Sequence, residues 1–288
     1  MSTHVPRLEE ILAHKRAEVA RAKAQVPLEA MKDLAQAQPT PRNFFRAVTQ
    51  QYKNRSNVIA EIKRMSPSAG FIRPEYAGED FSPEGVAVQY EAAGASALSC
   101  LTDERFFAGS LSFIARIKSK VTLPVLRKDF IIDPWQIYES RAHGADAVLL
   151  IGECLPEGLL IDLLILSQSL GLTTLLEVHD LDTLLRVRPH VGFPHPSYTL
   201  LGINNRDLSS MKVDLAHTLR LVDLVDDRTI LVSESGIKTP EDLARLRLAD
   251  VRIALVGEHL MRAERPGQAL RDLLRYLPPE QSPITTEG

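Results

Sequence analysis

Apolar residues in this chain fall into eight short runs, at 58–62, 97–101, 124–126, 147–151, 173–178, 199–203, 229–232 and 253–256. Each run is rich in leucine or β-branched side chains, the composition of a buried strand. Their centres lie roughly 23 to 40 residues apart, the length of one strand, one helix and two connections. Between the runs the spacing changes to that of a helix face. Leu159, Leu160, Leu163, Leu164 and Ser167 mark one face, Leu215, Leu219 and Val222 another, and Leu243, Leu246 and Leu248 a third. Ser82-Pro83, Asp133-Pro134 and Thr239-Pro240 each place a capping side chain before a proline, whose missing N–H costs nothing at the first helical position. Gly94, Gly144 and Gly171 close helical stretches where a left-handed cap is expected. Strict alternation of strand and helix predicts a parallel sheet. Eight such units in 288 residues predict an α/β fold of the (β/α)8 TIM barrel type rather than an open doubly wound sheet. The first run is not followed by G-x-G-x-x-G, which weighs against dinucleotide binding.

The first run is preceded by 57 residues. Leu8, Ile11, Leu12 and Val19 form a helical apolar stripe there, and Phe44, Phe45 and Val48 begin a second amphipathic piece after Pro39 and Pro41. Residues 1–50 are therefore expected as a helical extension packed against a barrel end, and 51–277 as the barrel. Residues 278–288, PPEQSPITTEG, are expected as a disordered tail.

Charge and cysteine content narrow the function. A net charge of −3 and a pI near 6.3 provide no basic field for nucleic acid or an anionic membrane. An acidic small molecule must then be held by a few placed Lys and Arg side chains. Cys100 and Cys154 have neither disulfide-framework nor zinc-site spacing and read as small core-edge residues. The N-terminus lacks the apolar centre of a secretory signal, and Glu9, Glu10 and Glu18 argue against a transit peptide. No apolar stretch approaches membrane-spanning length. A cytoplasmic setting is expected.

Ionisable residues recur at the C-terminal ends of the runs, and in a parallel barrel those ends meet at one mouth. Glu61 and Lys63 are two apart and face inward above Ile59, with Ala60 and Ile62 toward the helices. Opposite charges in a barrel mouth are costly to desolvate unless they act on something; the alternative is an ion pair that plugs the barrel. The loop after them, from Arg64 through Ser66 to Gly70, offers hydroxyls and backbone N–H groups to an anion. In Leu126-Arg127-Lys128-Asp129-Phe130, one of the two cations points into the mouth. A lysine there, beside another cation and apolar walls, is expected to have a lowered proton affinity that suits general acid work. Phe107 and Phe130 are candidate walls for an aromatic substrate. Glu177 shares a face with Thr173 and Leu175, and near Lys128 and Lys63 it is a base or a tuning partner. His179 reads as a rim histidine, and His190 and His195 as turn residues of the Pro-rich 189–196 segment, without a metal constellation. Gly202, Asn204 and Arg206 lie on one side, where Asn and Arg together can fix a carboxylate; Asn205 and Asp207 read as turn formers. Ser235-Gly236 and Gly257-Glu258 follow the last two runs, the usual barrel location for backbone N–H groups that approach a phosphate.

Taken together these segments resemble the indole-3-glycerol phosphate synthase family of tryptophan biosynthesis, from about Leu8 to Arg262. The carriers are VIAEIKRMSPSAGFI at 58–72, LSCLTDERFFAGS at 98–110, LPVLRKDFIIDPWQIYESRAHGADAVLLI at 123–151, LLEVHD at 175–180, LGINNRDL at 201–208, SESGI at 233–237 and LVGEHLMR at 255–262. The resemblance implies a barrel whose N-terminal helical segment covers the mouth. It implies conversion of 1-(2-carboxyphenylamino)-1-deoxyribulose 5-phosphate into indole-3-glycerol phosphate, CO2 and water, with no cofactor and no metal. By motif, Lys128 matches the general acid, Lys63 and Glu177 the groups that manage protons in dehydration, and Glu61 the support of Lys63 and the ribulose hydroxyls. Asn204 and Arg206, with Ser66, match groups near the anthranilate moiety, and Phe107, Phe130 and Leu149 the hydrophobic wall. Ser235, Gly236, Gly257 and Glu258 match phosphate-binding positions. The partner implied is a small phosphorylated molecule, and association with other tryptophan-pathway enzymes is left open.

Three departures stand out. The 189–196 segment is longer than usual and is expected at the far end of the barrel. Glu258 and His259 stand where a Ser and a small residue often occur, so the Glu258 side chain is expected to turn away from the phosphate while its N–H binds. Trp135 replaces a usual Tyr. The rival readings are a phosphoribosyl isomerase, which would use a Cys or Asp where Glu61 and Lys63 stand, and a ribulose-phosphate epimerase, which would need His and Asp metal ligands. A catalytically dead assembly scaffold is the non-enzymatic rival, and retention of Lys128 and Glu177 argues against it.

Overall fold

The computed structural model describes residues 6–52, 55–78, 81–207 and 212–275; the tail at 278–288 lies outside the described residues. Eight strands close a parallel barrel: β1 Asn57–Ile62, β2 Ala97–Leu101, β3 Val125–Lys128, β4 Ala147–Ile151, β5 Thr173–Val178, β6 Thr199–Asn204, β7 Leu231–Glu234 and β8 Ile253–Val256. Each pairs with its neighbours in sequence, and β1 pairs with β8 to complete the ring. The inward residues follow the two-residue period of a strand. Ile59, Ala97, Leu126, Leu149, Leu175, Leu200, Val232 and Leu255 fill the interior, while their neighbours Ala60, Leu98, Val125, Val148, Leu176, Leu201, Leu231 and Val256 face the helices. The lower layers of the barrel are therefore packed with mostly apolar side chains, and its ionisable groups gather at the C-terminal end.

Two strands lie further along the chain than expected. The third includes Lys128, and the seventh begins at Leu231, because residues Arg228–Ile230 form a 3-10 turn whose cap, the Asp227 side chain, accepts from the Thr229 N–H at 2.8 Å. The shift carries Glu234 onto β7. The helices Pro83–Ala93, Pro134–Ala142 and Pro240–Leu248 begin at the prolines, capped by Ser82, Asp133 and Thr239. Leu248 departs from the expected face: it is 74% exposed, because two residues beyond the buried Leu246 is more than half a turn around the helix.

Three helices precede β1: α1 Leu8–Gln25, α2 Leu28–Gln36 and α3 Phe44–Thr49. They touch both ends of the barrel. Leu8 and Ile11 of α1 line a cavity at the C-terminal mouth. Phe44 and Val48 of α3 are completely buried in the barrel's interior cluster at its opposite end, and Asn57 donates to the Val48 carbonyl at 2.6 Å. Trp135 fixes the passage between α1 and α2 by donating its indole N–H to the Val26 carbonyl at 3.0 Å. The 189–196 segment precedes β6 and lies at the same end as α3, with Val191 packed against that interior cluster.

Candidate active site

The mouth holds a cavity of about 720 Å³, the size of a small-molecule site. Glu61, Lys63, Ser66, Phe107, Lys128, Phe130, Leu149, Glu177, Asn204, Arg206, Ser235, Gly236, Gly257 and Glu258 all line it, brought together from all eight strands and the loops beyond them.

Lys128 is the cation of its pair that faces in. Arg127 points outward, fully buried, and bonds Ser140, Asp129 and Glu139. Lys128 Nζ lies 2.8 Å from Glu177 Oε2 and 3.4 Å from Glu234 Oε2. The expected lowering of its proton affinity is overturned. Burial does work against the charge, but the attraction of Glu177, Glu234 and Glu61 outweighs it and holds the ammonium well above the ordinary lysine range. These carboxylates come from three other strands, whereas Arg127 lies on the far side of its own.

Glu234 is the residue that sequence reading missed. It is buried at the end of β7, and burial together with its neighbour Glu177 pushes its carboxyl well above the usual range. It reaches the interior because Gly202 opposite it has no side chain: a Cβ there would stand 2.2 Å from Glu234 Oε1. Glu177 behaves in the opposite way. Burial opposes its charge, yet Lys128 and His179 hold it ionised, well below the usual carboxylate range. Asn204 donates to Glu177 Oε1 at 3.1 Å. His179 is not at the rim: its side chain is 6% exposed and its Nε2 lies 3.1 Å from Glu177 Oε1.

The second lysine is separately partnered, Lys63 Nζ to Glu61 Oε1 at 2.8 Å. Glu61 packs where Gly257 leaves room, since a Cβ on that glycine would fall 2.3 Å from Glu61 Oε1. Phe107 and Phe130 face each other at 6.2 Å between ring centres and form one apolar side with Leu149. Phe107 is placed by the short helix Glu104–Phe107, whose first turn is capped by Asp103 accepting from the Phe106 N–H at 2.7 Å.

The loops after β7 and β8 form the remaining wall. Ser235 and Gly236 both have positive φ, 68° and 83°, and make a tight left-handed turn after β7. Asn205 braces this turn, donating to the Ser235 carbonyl and to Ser233 Oγ, both at 3.0 Å, while its own Oδ1 accepts from Thr218. Its role is thus a buried strut for the loop. Gly257 opens the helix Glu258–Arg262. The Glu258 side chain does not turn away as expected. It stays in the cavity wall because two guanidiniums hold it, Arg262 at 2.7 Å and Arg206 at 3.4 Å. Its negative charge is offset by those neighbours. Arg206 thereby spans the wall between the end of β6 and Glu258. Among the described residues no three His, Cys, Asp or Glu side chains group closely enough to hold a metal ion; His190 pairs with Glu157, and His195 caps a 3-10 turn.

Chemically, the mouth presents the ammoniums of Lys63 and Lys128, the carboxyls of Glu61, Glu177, Glu234 and Glu258, an aromatic wall and two glycine-containing loops. Comparison with known proteins shows the family. The profile of the family described as indole-3-glycerol phosphate synthase matches residues 8–273. A protein of Polaromonas naphthalenivorans (strain CJ2) named indole-3-glycerol phosphate synthase is 44% identical over 270 residues, covering 92% of this chain and 97% of its own. Among solved structures, a 3-hexulose-6-phosphate synthase superposes with a TM-score of 0.56 at 13% identity, over 75% of this chain and 97% of its own, a likeness of fold alone.

Proposed function

The chain belongs to the indole-3-glycerol phosphate synthase family, and on that premise we propose how its pocket carries out the reaction. The protein is a carboxy-lyase of tryptophan biosynthesis. It converts 1-(2-carboxyphenylamino)-1-deoxyribulose 5-phosphate into indole-3-glycerol phosphate, CO2 and water. In our reading the phosphate lies on the Ser235-Gly236 and Gly257-Glu258 loops and the aromatic ring on Phe107, Phe130 and Leu149. The ribulose carbonyl then sits over Lys128.

The observation that carries the assignment is Lys128 buried between Glu177 and Glu234 in the same cavity as Lys63. Attack by the ring carbon that bears the carboxylate turns the ketone oxygen into an alkoxide. Lys128 is the donor to that oxygen. A lysine of raised proton affinity still serves, because an alkoxide is a strong base and the ammonium is already in place as its charge develops. Loss of CO2 restores the ring. The hydroxyl formed from the ketone then leaves as water, on a proton from an ammonium of the pocket, while Glu177 accepts the proton released as the indole double bond forms. Lys63 with Glu61 faces the sugar hydroxyls, and Asn204 and Arg206, with Ser66, flank the anthranilate carboxylate. Catalysis in the cytoplasm belongs to the same proposal: Cys100 and Cys154 are free thiols, and no helix among the described residues is long and apolar enough to cross a membrane.

The direct test adds the substrate to purified protein and follows indole fluorescence together with CO2 release. Isomerisation of a phosphoribosyl compound without indole product would overturn the reading. The phosphate assignment makes a separate prediction. Ser235→Asp puts a carboxylate in the loop, and Asp accepts positive φ better than most residues, so the turn survives. Its KM is expected to rise roughly tenfold or more through like-charge repulsion, with a smaller change in kcat. An unchanged KM would remove this loop from the phosphate site.

A further inference from the structure

His179 lies two residues beyond Glu177 and has no part in the roles assigned above. Its ring stands between two carboxylates: Nε2 is 3.1 Å from Glu177 Oε1, and Nδ1 is 3.2 Å from Glu153 Oε2. Its backbone N–H donates to the other Glu153 oxygen at 2.7 Å. Glu153 comes from the 3-10 turn Gly152–Cys154 after β4, so the ring is clamped across two neighbouring strand ends. When both ring nitrogens face ionised carboxylates, both must donate, and that form is the imidazolium. Burial opposes the charge, but the bonds to Glu153 and Glu177 prevail and raise its pKa to about 10. Glu153 and Glu177 are the charged groups that face the ring, with Lys128 on the other side of Glu177.

Glu177 meanwhile competes with Glu234. Two carboxyls sharing one buried space do not both ionise easily, and their protons belong to the pair. Lys128 reaches both of them, hydrogen-bonding Glu177 at 2.8 Å and lying 3.4 Å from Glu234, so its charge acts on both carboxyls. The ring of His179 is paired with Glu177 and not with Glu234 among the ion pairs of the described residues. It adds a second cation that faces Glu177 alone, beside the Asn204 amide that also donates only to Glu177. We propose that His179, backed by Glu153, is a positioning residue that fixes Glu177 as the ionised member of the Glu177–Glu234 pair and aims it at Lys128. This deepens the reading of Glu177 as the proton acceptor and rests on it.

The test compares His179→Gln and Glu153→Gln with the parent enzyme across pH. Gln keeps an N–H donor near the Nε2 position but carries no charge. Without the imidazolium the Glu177 carboxyl protonates at a higher pH, so the acid limb of kcat moves up. The expected shift is about one pH unit for His179→Gln, equivalent to a roughly tenfold stronger hold on the proton. KM is expected to stay within about threefold, because His179 adds only a 6% exposed side chain to the cavity lining and both its ring nitrogens are taken by Glu177 and Glu153. Glu153→Gln is expected to shift the limb in the same direction by less, and it carries the test if His179→Gln does not fold. An acid limb that stays in place in the folded variants, whether or not kcat and KM fall together, overturns the proposal and leaves His179 a packing residue. Absence of indole product from the parent enzyme would instead overturn the reading of the reaction.

Discussion

Lys128→Ala is expected to lower kcat by about three orders of magnitude, within the range of roughly 10²- to 10⁴-fold that a positioned general acid supplies. Two effects are lost together. The proton source for the ketone oxygen disappears, and so does the cation that keeps Glu177 ionised at 2.8 Å. The loss should fall on kcat. The proposed phosphate loops follow β7 and β8 and keep their own geometry, including the Asn205 strut, so KM is expected to change by less than about tenfold. Lys128→Arg separates proton transfer from charge. Its guanidinium retains a positive charge beside Glu177 and Glu234 but gives up a proton far less readily. If electrostatic support alone mattered, the Arg variant would recover most of the activity. We expect it to remain at least about a hundredfold below the parent. Steady-state indole fluorescence measures both variants, and parent-like turnover in Lys128→Ala would remove this lysine from the chemistry.

The barrel and much of the mouth could be read from the sequence, because strand alternation is a local rule. Knowing that Ile59 is apolar and inward is enough to place Glu61 and Lys63, and the same parity separates Lys128 from Arg127 once the strand is seen to reach Lys128. What was not legible depended on contacts between distant segments. Glu234 was hidden because a 3-10 turn displaces β7 by two residues, and a glutamate just past an apolar run looks like a loop residue. The proton affinity of Lys128 was misjudged because the charges that set it come from other strands. His179 looked like a rim residue because its second partner, Glu153, stands 26 positions earlier in the chain. The Glu258 side chain was expected to avoid the cavity because Arg206, 52 residues away, was not known to share its wall.

Lys15 is the sharpest case of this kind, and it carries the largest expected effect on stability. In an amphipathic helix a lysine beside an apolar stripe is normally read as solvent-facing. Here its side chain is fully buried, and Nζ lies 2.8 Å from Glu18 Oε1, 2.9 Å from Asp103 Oδ2 and 2.9 Å from Asp129 Oδ1. Asp103 caps the helix that carries Phe107, and Asp129 is the residue next to Lys128. One ammonium thus ties α1 to two sides of the mouth, alongside His14, whose ring packs edge-on against Phe106 at 5.6 Å. Burial works against the Lys15 charge, but Asp129 and Asp103 raise its proton affinity above the ordinary lysine range. Burial likewise opposes the Asp129 charge, while Arg127 and Lys15 hold its carboxyl below the usual range. The raised lysine contributes fully below its unfolded pKa and loses its contribution only as pH climbs through the folded value. The depressed aspartate contributes fully above its unfolded pKa and loses its contribution as pH falls through the folded value. Both contributions are therefore complete at neutral pH. Lys15→Met keeps the length of the side chain, strips Asp103 of this cation and leaves Asp129 with Arg127 alone, both carboxylates still buried. Removing one partner of a buried ionic cluster costs about 3–5 kcal/mol, so the melting temperature is expected to fall by roughly ten degrees. Adding Asp103→Asn to Lys15→Met removes one of the stranded charges and should recover part of the loss; urea titrations of the parent, Lys15→Met, Asp103→Asn and the double variant measure that coupling. Because Leu8 and Ile11 of the same helix line the cavity, we also expect Lys15→Met to raise KM more than it lowers kcat. A variant as stable as the parent, with an unchanged KM, would mean that α1 is held over the mouth by its apolar stripe alone.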